Sequence, residues 1–431
     1  VELRVGGPDN TVLITEIMYH SVSGKPAEEY IEIHNIGSGP VPLQGWKITN
    51  GVDFEFPALN ILPGEYLIIA ADPEVFSNIW GEGVKVIGPW SGQLSDRGER
   101  IRIKDALGEE VDDVSYSDQG DWAFRRAEDS EQILNGESGW KWTSGADGGG
   151  ASLELVNLDV SNKHGQNWSP SQSPTPGKQN SVFSTDAAPL ILNVKHDPAI
   201  PRSGQAVTIS ADIKDNKNEN IRAILNWRVS ALDPDEFLQI EMRDDGKNGD
   251  EESGDGTYTA QVSAQEDGTV IEFYIKSYDG KSERNWPKST GEDGQHQANA
   301  LFQFDDESYE GNQPIYRLVM TVREDRDFRF RNFNSGSDAQ KNATLIAKQG
   351  QDYDIRYQCG VRVRGAGSRT RNPRNNRLNI PRDNPWNGVT KINLNSQFIY
   401  LQFLGSRLAS LSGIEAADSR PVQLRYNGVN R

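Results

Sequence analysis

Apolar and polar residues along most of this chain alternate with a period of two, or run apolar for about five to eight residues, as strands do. Val12-Leu-Ile-Thr-Glu-Ile-Met-Tyr, Tyr30-Ile-Glu-Ile-His, Glu65-Tyr-Leu-Ile-Ile-Ala and Arg100-Ile-Arg-Ile-Lys are the clearest in the first third. Turn residues separate them: Gly37-Ser-Gly-Pro, Leu62-Pro-Gly, Ser95-Asp-Arg-Gly and Ala106-Leu-Gly. Strands at this spacing without helical periodicity predict an antiparallel sandwich. The segment Ser169-Pro-Ser-Gln-Ser-Pro-Thr-Pro-Gly reads as a linker, because its prolines cannot pair inside a central sheet.

A second stretch of strands follows. Gln205-Ala-Val-Thr-Ile-Ser-Ala-Asp-Ile, Thr257-Tyr-Thr-Ala-Gln-Val and Val270-Ile-Glu-Phe-Tyr-Ile-Lys-Ser-Tyr-Asp alternate cleanly and predict a second sandwich of immunoglobulin or fibronectin type. Between them lies Asp244-Asp-Gly-Lys-Asn-Gly-Asp-Glu-Glu-Ser-Gly-Asp-Gly-Thr-Tyr. Oxygen ligands on a glycine-bent loop suit a hard cation such as Ca²⁺, and Asp244, Asp245, Asn248, Asp250 and Asp255 are the candidate ligands. The spacing is not that of an EF-hand. The competing reading is a polar loop whose Asp side chains cap their own turns.

Beyond Gly311-Asn-Gln-Pro the pattern changes. Tyr316-Arg-Leu-Val-Met-Thr-Val predicts a strand, and the segment 349–365 a turn followed by a longer strand. Ser396-Gln-Phe-Ile-Tyr-Leu-Gln-Phe-Leu-Gly-Ser-Arg-Leu-Ala-Ser-Leu-Ser-Gly predicts a helix. Ser396 is its expected N-cap, Leu401, Leu404, Leu408 and Leu411 its buried stripe, and Gly413 its stop. Pro421-Val-Gln-Leu-Arg-Tyr then runs into Asn427-Gly428, a hairpin turn signal, with no second strand expected before Arg431.

Two resemblances organise these elements. Ile14-Thr-Glu-Ile-Met-Tyr, Glu29-Tyr-Ile-Glu-Ile-His-Asn, Leu43-Gln-Gly-Trp-Lys-Ile, Leu62-Pro-Gly-Glu-Tyr, Leu94-Ser-Asp-Arg-Gly-Glu-Arg-Ile, Ser152-Leu-Glu-Leu and Asn167-Trp-Ser-Pro resemble a lamin-tail domain, an immunoglobulin-like module. That resemblance implies a structural or interaction role. Trp122, Trp140, Trp142 and Trp168 could form a platform for sugars, although core or loop packing is the favoured reading.

At the other end, Val361-Arg-Val-Arg-Gly-Ala-Gly-Ser-Arg, Asn376-Arg-Leu-Asn-Ile, Lys391-Ile-Asn-Leu-Asn, the helix through Gly413 and the strand into Tyr426-Asn-Gly resemble the opening of a CotH-type (spore coat protein H) atypical kinase domain. The resemblance implies transfer of a phosphoryl group from Mg·ATP to protein Ser or Thr hydroxyls. It places Arg364, Gly365, Gly367, Ser368 and Arg369 in the nucleotide-facing glycine loop, with Arg374 and Arg377 near a segment that is lysine-rich in the family. Catalytic and Mg²⁺-holding residues of the family lie beyond the equivalent of Asn427-Gly428, so none is assigned in this chain. On its own the glycine loop is a weak signal, being neither GxGxxG nor GxxxxGK[ST].

The expected architecture is therefore mainly β. A leading segment (1–12) precedes two immunoglobulin-like antiparallel sandwiches in tandem, over 13–180 and 186–306, and a partial α+β CotH-like lobe follows over 315–431.

Charge sharpens this division. The chain carries a net −18, but from Ile315 onward 20 basic residues face 9 acidic ones, a net of +11, which leaves 25 against 54, a net of −29, in the first 314. Arginines 362, 364, 369, 371, 374, 377 and 382 fall in a stretch without an acid. Such a segment is either a solvated strand face or an anion site, since guanidinium forks fit phosphate or carboxylate. Nucleic acid is disfavoured, because the acidic front would repel it and no aromatics are interleaved with the arginines. The single cysteine, Cys359, excludes internal disulfides and reads as a buried strand residue, and five scattered histidines argue against a histidine-built zinc site.

No apolar run is long enough to span a membrane. The sequence begins at Val1 without a signal-peptide pattern, as expected for a processed or partial chain. Acidic, cysteine-poor composition suits an extracellular or cell-surface bacterial protein. Its expected partners are a surface protein or polysaccharide, or further copies of the chain.

Overall fold

A computed structural model describes residues 11–128, 139–217, 220–290, 294–349, 352–365, 369 and 373–430, apart from 331–337. It is mainly β and divides into two compact units.

The first unit, which takes in residues up to Phe124 and the segment Trp142–Leu190, packs two sheets face to face. One has six strands in the order Trp168–Pro170, Leu153–Leu155, Val12–Met18, Tyr30–Asn35, Tyr66–Ala70 and Val86–Ile87. The other has five: Glu110–Ser115, Arg100–Lys104, Lys47–Thr49, Val52–Glu55 and Ser91–Gly92. Ile14, Ile17, Ile31, Ile33, Leu67 and Ile69 from the first sheet meet Ile48, Ile101, Ile103 and Val114 from the second, forming a dry core.

Val12–Met18 is buried along its whole length, so its sheet is covered on both faces. A register shift between Ile14 and Glu16 turns Glu16 and Met18 to the outer face. There the helix Pro73–Trp80 packs Phe76 edge-on against the Tyr30 ring, with centroids 5.4 Å apart. Its N-cap Asp72 accepts from the amides of Glu74 (3.0 Å) and Val75 (3.2 Å), and Pro73 sits where no helical N–H is needed.

The expected linker behaves differently. Trp168–Pro170 is an edge strand on Leu153–Leu155, where proline's missing donor does no harm, and Thr175, Pro176 and Asn180 are buried. The segment after Pro170 is a strap held against the outer face of the six-stranded sheet.

The second unit contains the second sandwich. Leu190–Asp197, Val207–Lys214 and Thr257–Val262 face a sheet of Leu238–Met242, Arg222–Val229, Val270–Tyr278, Glu283–Trp286 and Ala300–Gln303. It also contains a seven-stranded sheet in the order Lys391–Leu394, Asn376–Asn379, Asp352–Val363, Lys341–Gln349, Ile315–Val319, Gln423–Tyr426 and Val429–Asn430. All pairs in it are antiparallel except Ile315–Val319 with Gln423–Tyr426.

Sandwich and sheet share a core. Tyr357 lies among Phe273, Trp286 and His196, its hydroxyl 2.6 Å from His196 Nδ1. Cys359 is a buried free thiol, and burial pushes its pKa up to about 12.

Two expectations for the basic end need correction. The helix spans Ile399–Leu411, but its N-cap is Phe398 in the left-handed region (φ 52°), because Ser396 Oγ donates to the Arg374 carbonyl at 2.9 Å. Its stripe is exposed: Leu401, Leu404, Leu408 and Leu411 are 68, 53, 63 and 72% accessible. Gly413 does end the helix, at φ 73°. Asn427-Gly428 does lead into a second strand, the short Val429–Asn430, whose two residues suffice to pair with Arg425 and Tyr426.

Candidate functional site

The arginines gather on one face at one end of the seven-stranded sheet. Arg362 and Arg364 are two residues apart on Asp352–Val363 and its continuation, so they point the same way. Arg377 lies directly opposite Arg362 on Asn376–Asn379. Cross-strand neighbours of like charge repel, and asparagines on and just after the next strand hold two of these arginines, Arg377 and Arg364. Arg377 Nε donates to Asn393 Oδ1 at 3.1 Å and Arg364 Nη1 to Asn395 Oδ1 at 2.8 Å.

Arg369 folds back from the loop, donating from Nε to the Gly365 carbonyl at 2.5 Å, where Gly365 takes φ 99°. Asp338 accepts from Arg362 Nη1 at 2.5 Å and also pairs with Arg369. Partial burial lowers the Arg362 pKa; Asp338 opposes this, while Arg377, Arg369 and Arg364 add to it. Four guanidinium groups are thus near enough to feel one another, two of them sharing one exposed carboxylate. Such an arrangement attracts an anion that can take several planar donors at once, as phosphate does.

Of the residues expected here, Arg364, Gly365, Arg369 and Arg377 come together. Arg374 lies beside them in sequence on the return to Asn376–Asn379, its carbonyl held by Ser396. Gly367 and Ser368 lie outside the described residues. The holding residues Asp338, Asn393 and Asn395 escaped sequence reasoning. The register of Lys391–Leu394 against Asn376–Asn379 is what brings the asparagines into reach.

The acidic loop of the second sandwich gathers three of its five expected ligands. One carboxylate oxygen from each of Asp244, Asp250 and Asp255 lies within 4.8 Å of the others. Asp245 stands outside this group, and Asn248 occupies a left-handed turn position, φ 55°. Asp244 accepts from the amides of Gly254 and Gly256, the latter at 2.9 Å, and Asp255 from Thr257 N at 2.7 Å. These are the turn-capping bonds of the competing reading. Asp250 differs: it is buried, its Oδ2 accepts from Gly246 N at 2.5 Å, and its Oδ1 is buried without a partner. An orphaned buried carboxylate oxygen fits a bound cation better than a self-capped turn.

The tryptophans form no common platform. Trp122 and Trp168 are buried in the first core with ring centroids 5.8 Å apart, while Trp140 donates from Nε1 to Glu324 at 2.8 Å.

Residues 7–118 match the family described as Lamin Tail Domain. No curated protein matches the chain. Solved structures with some likeness include the cycloalternan-forming enzyme from Listeria monocytogenes in complex with pentasaccharide substrate (11% identity, 43% of this chain and 18% of that one, TM-score 0.18). Another is an uncharacterized protein from Listeria monocytogenes EGD-e in complex with glucose, magnesium and calcium (10% identity, 48% and 19%, TM-score 0.18). The chain spans under a fifth of either protein, and a TM-score of 0.18 is too low to indicate a shared fold. The chain is a modular β-domain protein with a lamin-tail, immunoglobulin-like module at its front.

Proposed function

We propose that this chain is an extracellular or cell-surface binding protein whose seven-stranded sheet holds a phosphate-bearing ligand on Arg362, Arg364, Arg369 and Arg377. The convergence of four guanidinium groups at one end of that sheet carries the reading. The resemblance to a CotH-type kinase makes a nucleotide the leading ligand, with Arg364, Gly365 and Arg369 facing its phosphates and Arg374 at the margin. The chain binds and does not itself transfer phosphate, and in a complete kinase the metal-holding carboxylates would come from elsewhere. The second reading is a non-catalytic anion-binding module of a surface structural or adhesive protein, recognising a protein or polysaccharide.

Titration of a fluorescent ATP analogue into the chain, with and without Mg²⁺, separates these. Nucleotide recognition predicts binding that Arg364→Ala with Arg369→Ala weakens by at least tenfold, since each charged hydrogen bond is worth about 1.5–3 kcal/mol. Equal competition by ATP and inorganic phosphate would favour the anion module. Absence of binding by either ligand would remove both readings.

A Ca²⁺ ion on Asp244, Asp250 and Asp255 is a further part of the proposal, supported by the unpartnered Asp250 Oδ1. Its role would be to brace the loop between Leu238–Met242 and Thr257–Val262. Calcium should raise the melting temperature of the wild type and leave Asp250→Asn unmoved. An equal shift in both proteins would show that the loop caps itself.

A further inference from the structure

Three glutamates stand in a row across the outer face of the six-stranded sheet. Glu16 lies directly opposite Glu154 on one side and Glu32 on the other. Each is 0% exposed. Side chains directly opposite on neighbouring strands sit about 4.5–5.5 Å apart at Cβ, so like charges there repel. A buried row of three carboxylates cannot be fully ionised without a counter-charge. The groups acting most strongly on Glu16 and Glu32 are hydroxyls, amides and other carboxyls, with no cation among them.

What faces the row is the strap that follows the edge strand. Thr175 N donates to Glu16 Oε1 (3.1 Å), Gly177 N to Glu32 Oε2 (2.8 Å) and Thr175 Oγ1 to Glu154 Oε1 (2.6 Å). Ser181 Oγ (2.7 Å) and Val182 N (3.1 Å) both donate to Glu154 Oε2. From the sheet side, Tyr30 Oη and Ser152 Oγ donate to Glu16 Oε1 and Thr15 Oγ1 to Glu32 Oε1. Glu16 Oε2 is buried without a partner.

We propose that Glu16 and Glu32, buried beside Glu154 under the strap, form a proton-operated latch: protons held by this pair keep residues 175–182 fastened to the sheet, and their loss loosens that strap. The other titratable groups nearby do not supply a counter-charge. Tyr30 and Tyr66 have raised pKa values, from burial first and then from the glutamates beside them. His34, on the same face, stacks on Tyr66 and is lowered by burial. Lys85 pairs with Glu65, while Glu74 of the covering helix and Lys178 of the strap are exposed.

Burial pushes Glu16 from 4.5 up to about 7, with Glu154 contributing, and Glu32 well above its ordinary range, with Glu16 contributing. Between pH 4.5 and about 7 the folded protein therefore binds more protons than the unfolded one. The stabilisation is complete below 4.5 and is lost as pH rises through 7, the reverse of ordinary acid denaturation.

Hydrogen exchange of the Thr175, Gly177 and Val182 amides tests this in the whole chain. After correction for intrinsic exchange, strap opening should increase with pH from 5 to 8, by up to about tenfold per unit for each proton released. Glu16→Gln keeps the Oε1 acceptor and puts an N–H where Oε2 lacks a partner, so it should flatten that slope and protect the strap at pH 8. Should that variant fail to fold, the wild-type slope and Glu32→Gln remain decisive. Opening that is flat across pH 5–8, or that grows towards acid, overturns the latch. A strap that opens no differently from the strand amides of Tyr66–Ala70 also overturns it, because the effect would then be global.

Discussion

The protein concentrates like charge in two places, and solvent separates their consequences. In the first unit three glutamates lie in a fully buried row; in the second, four half-buried arginines lie at one end of a sheet. Both are cross-strand arrangements that repel themselves. The buried row answers with a raised proton affinity at Glu16 and Glu32 and with donors recruited from the strap, because an uncompensated charge there costs several kcal/mol. The arginines answer with Asp338 and two asparagines, and water and salt screen part of what is left. Like charge inside the fold is thus the basis of the proposed latch, and at the sheet end that of the proposed anion site.

The sharpest way to break this contrast is Glu154→Ala. It removes the acceptor of three strap bonds, from Thr175 Oγ1, Ser181 Oγ and Val182 N. Unsatisfied buried donors cost about 1–3 kcal/mol each, so the first unit should lose ~3 kcal/mol or more in urea unfolding. A loss under about 1 kcal/mol would mean the strap is not held by its carboxylate.

Arg377→Ala is the counterpart at the surface. Removing one of four like charges should leave stability within about 0.5 kcal/mol while weakening phosphate binding several-fold. Binding should also become less dependent on salt. A destabilisation above about 2 kcal/mol would show that these arginines are structural.

Smallest of all should be Leu404→Lys on the exposed helix stripe. A buried leucine cut back to Ala costs about 2–5 kcal/mol, but Leu404 buries little, so the melting temperature should scarcely move. A large drop would reveal that the stripe is covered in solution, and a concentration-dependent one that a second copy covers it.

Much of the architecture was readable from the chain, for a local reason. Val12–Met18, Tyr30–Asn35, Val207–Lys214 and Val270–Tyr278 carry their strand signal within single segments. The helix Val322–Phe330 was missed because its sequence, VREDRDFRF, is too polar to show an apolar stripe. The helix Ile399–Leu411 shows the opposite failure, a leucine stripe that no described residue buries. Of the candidate sites, the arginines were visible because they crowd one stretch of sequence. Their asparagine supports were not, since Asn393 and Asn395 reach them only across a strand pair.

By itself, the sequence determined the β character, the lamin-tail module at the front, the acidic and basic halves and the loop in which Asp244, Asp250 and Asp255 could meet. These depend on neighbours along the chain. Tertiary structure alone decided that a proline-rich apparent linker would be fastened down, and that Glu16, Glu32 and Glu154, up to 138 positions apart, would share one row. Each glutamate reads singly as a polar residue on a strand, whose partner could be water. Only strand register, with a shift between Ile14 and Glu16, turns all three to the same covered face and makes the proton affinity of Glu16 and Glu32 a property of the fold.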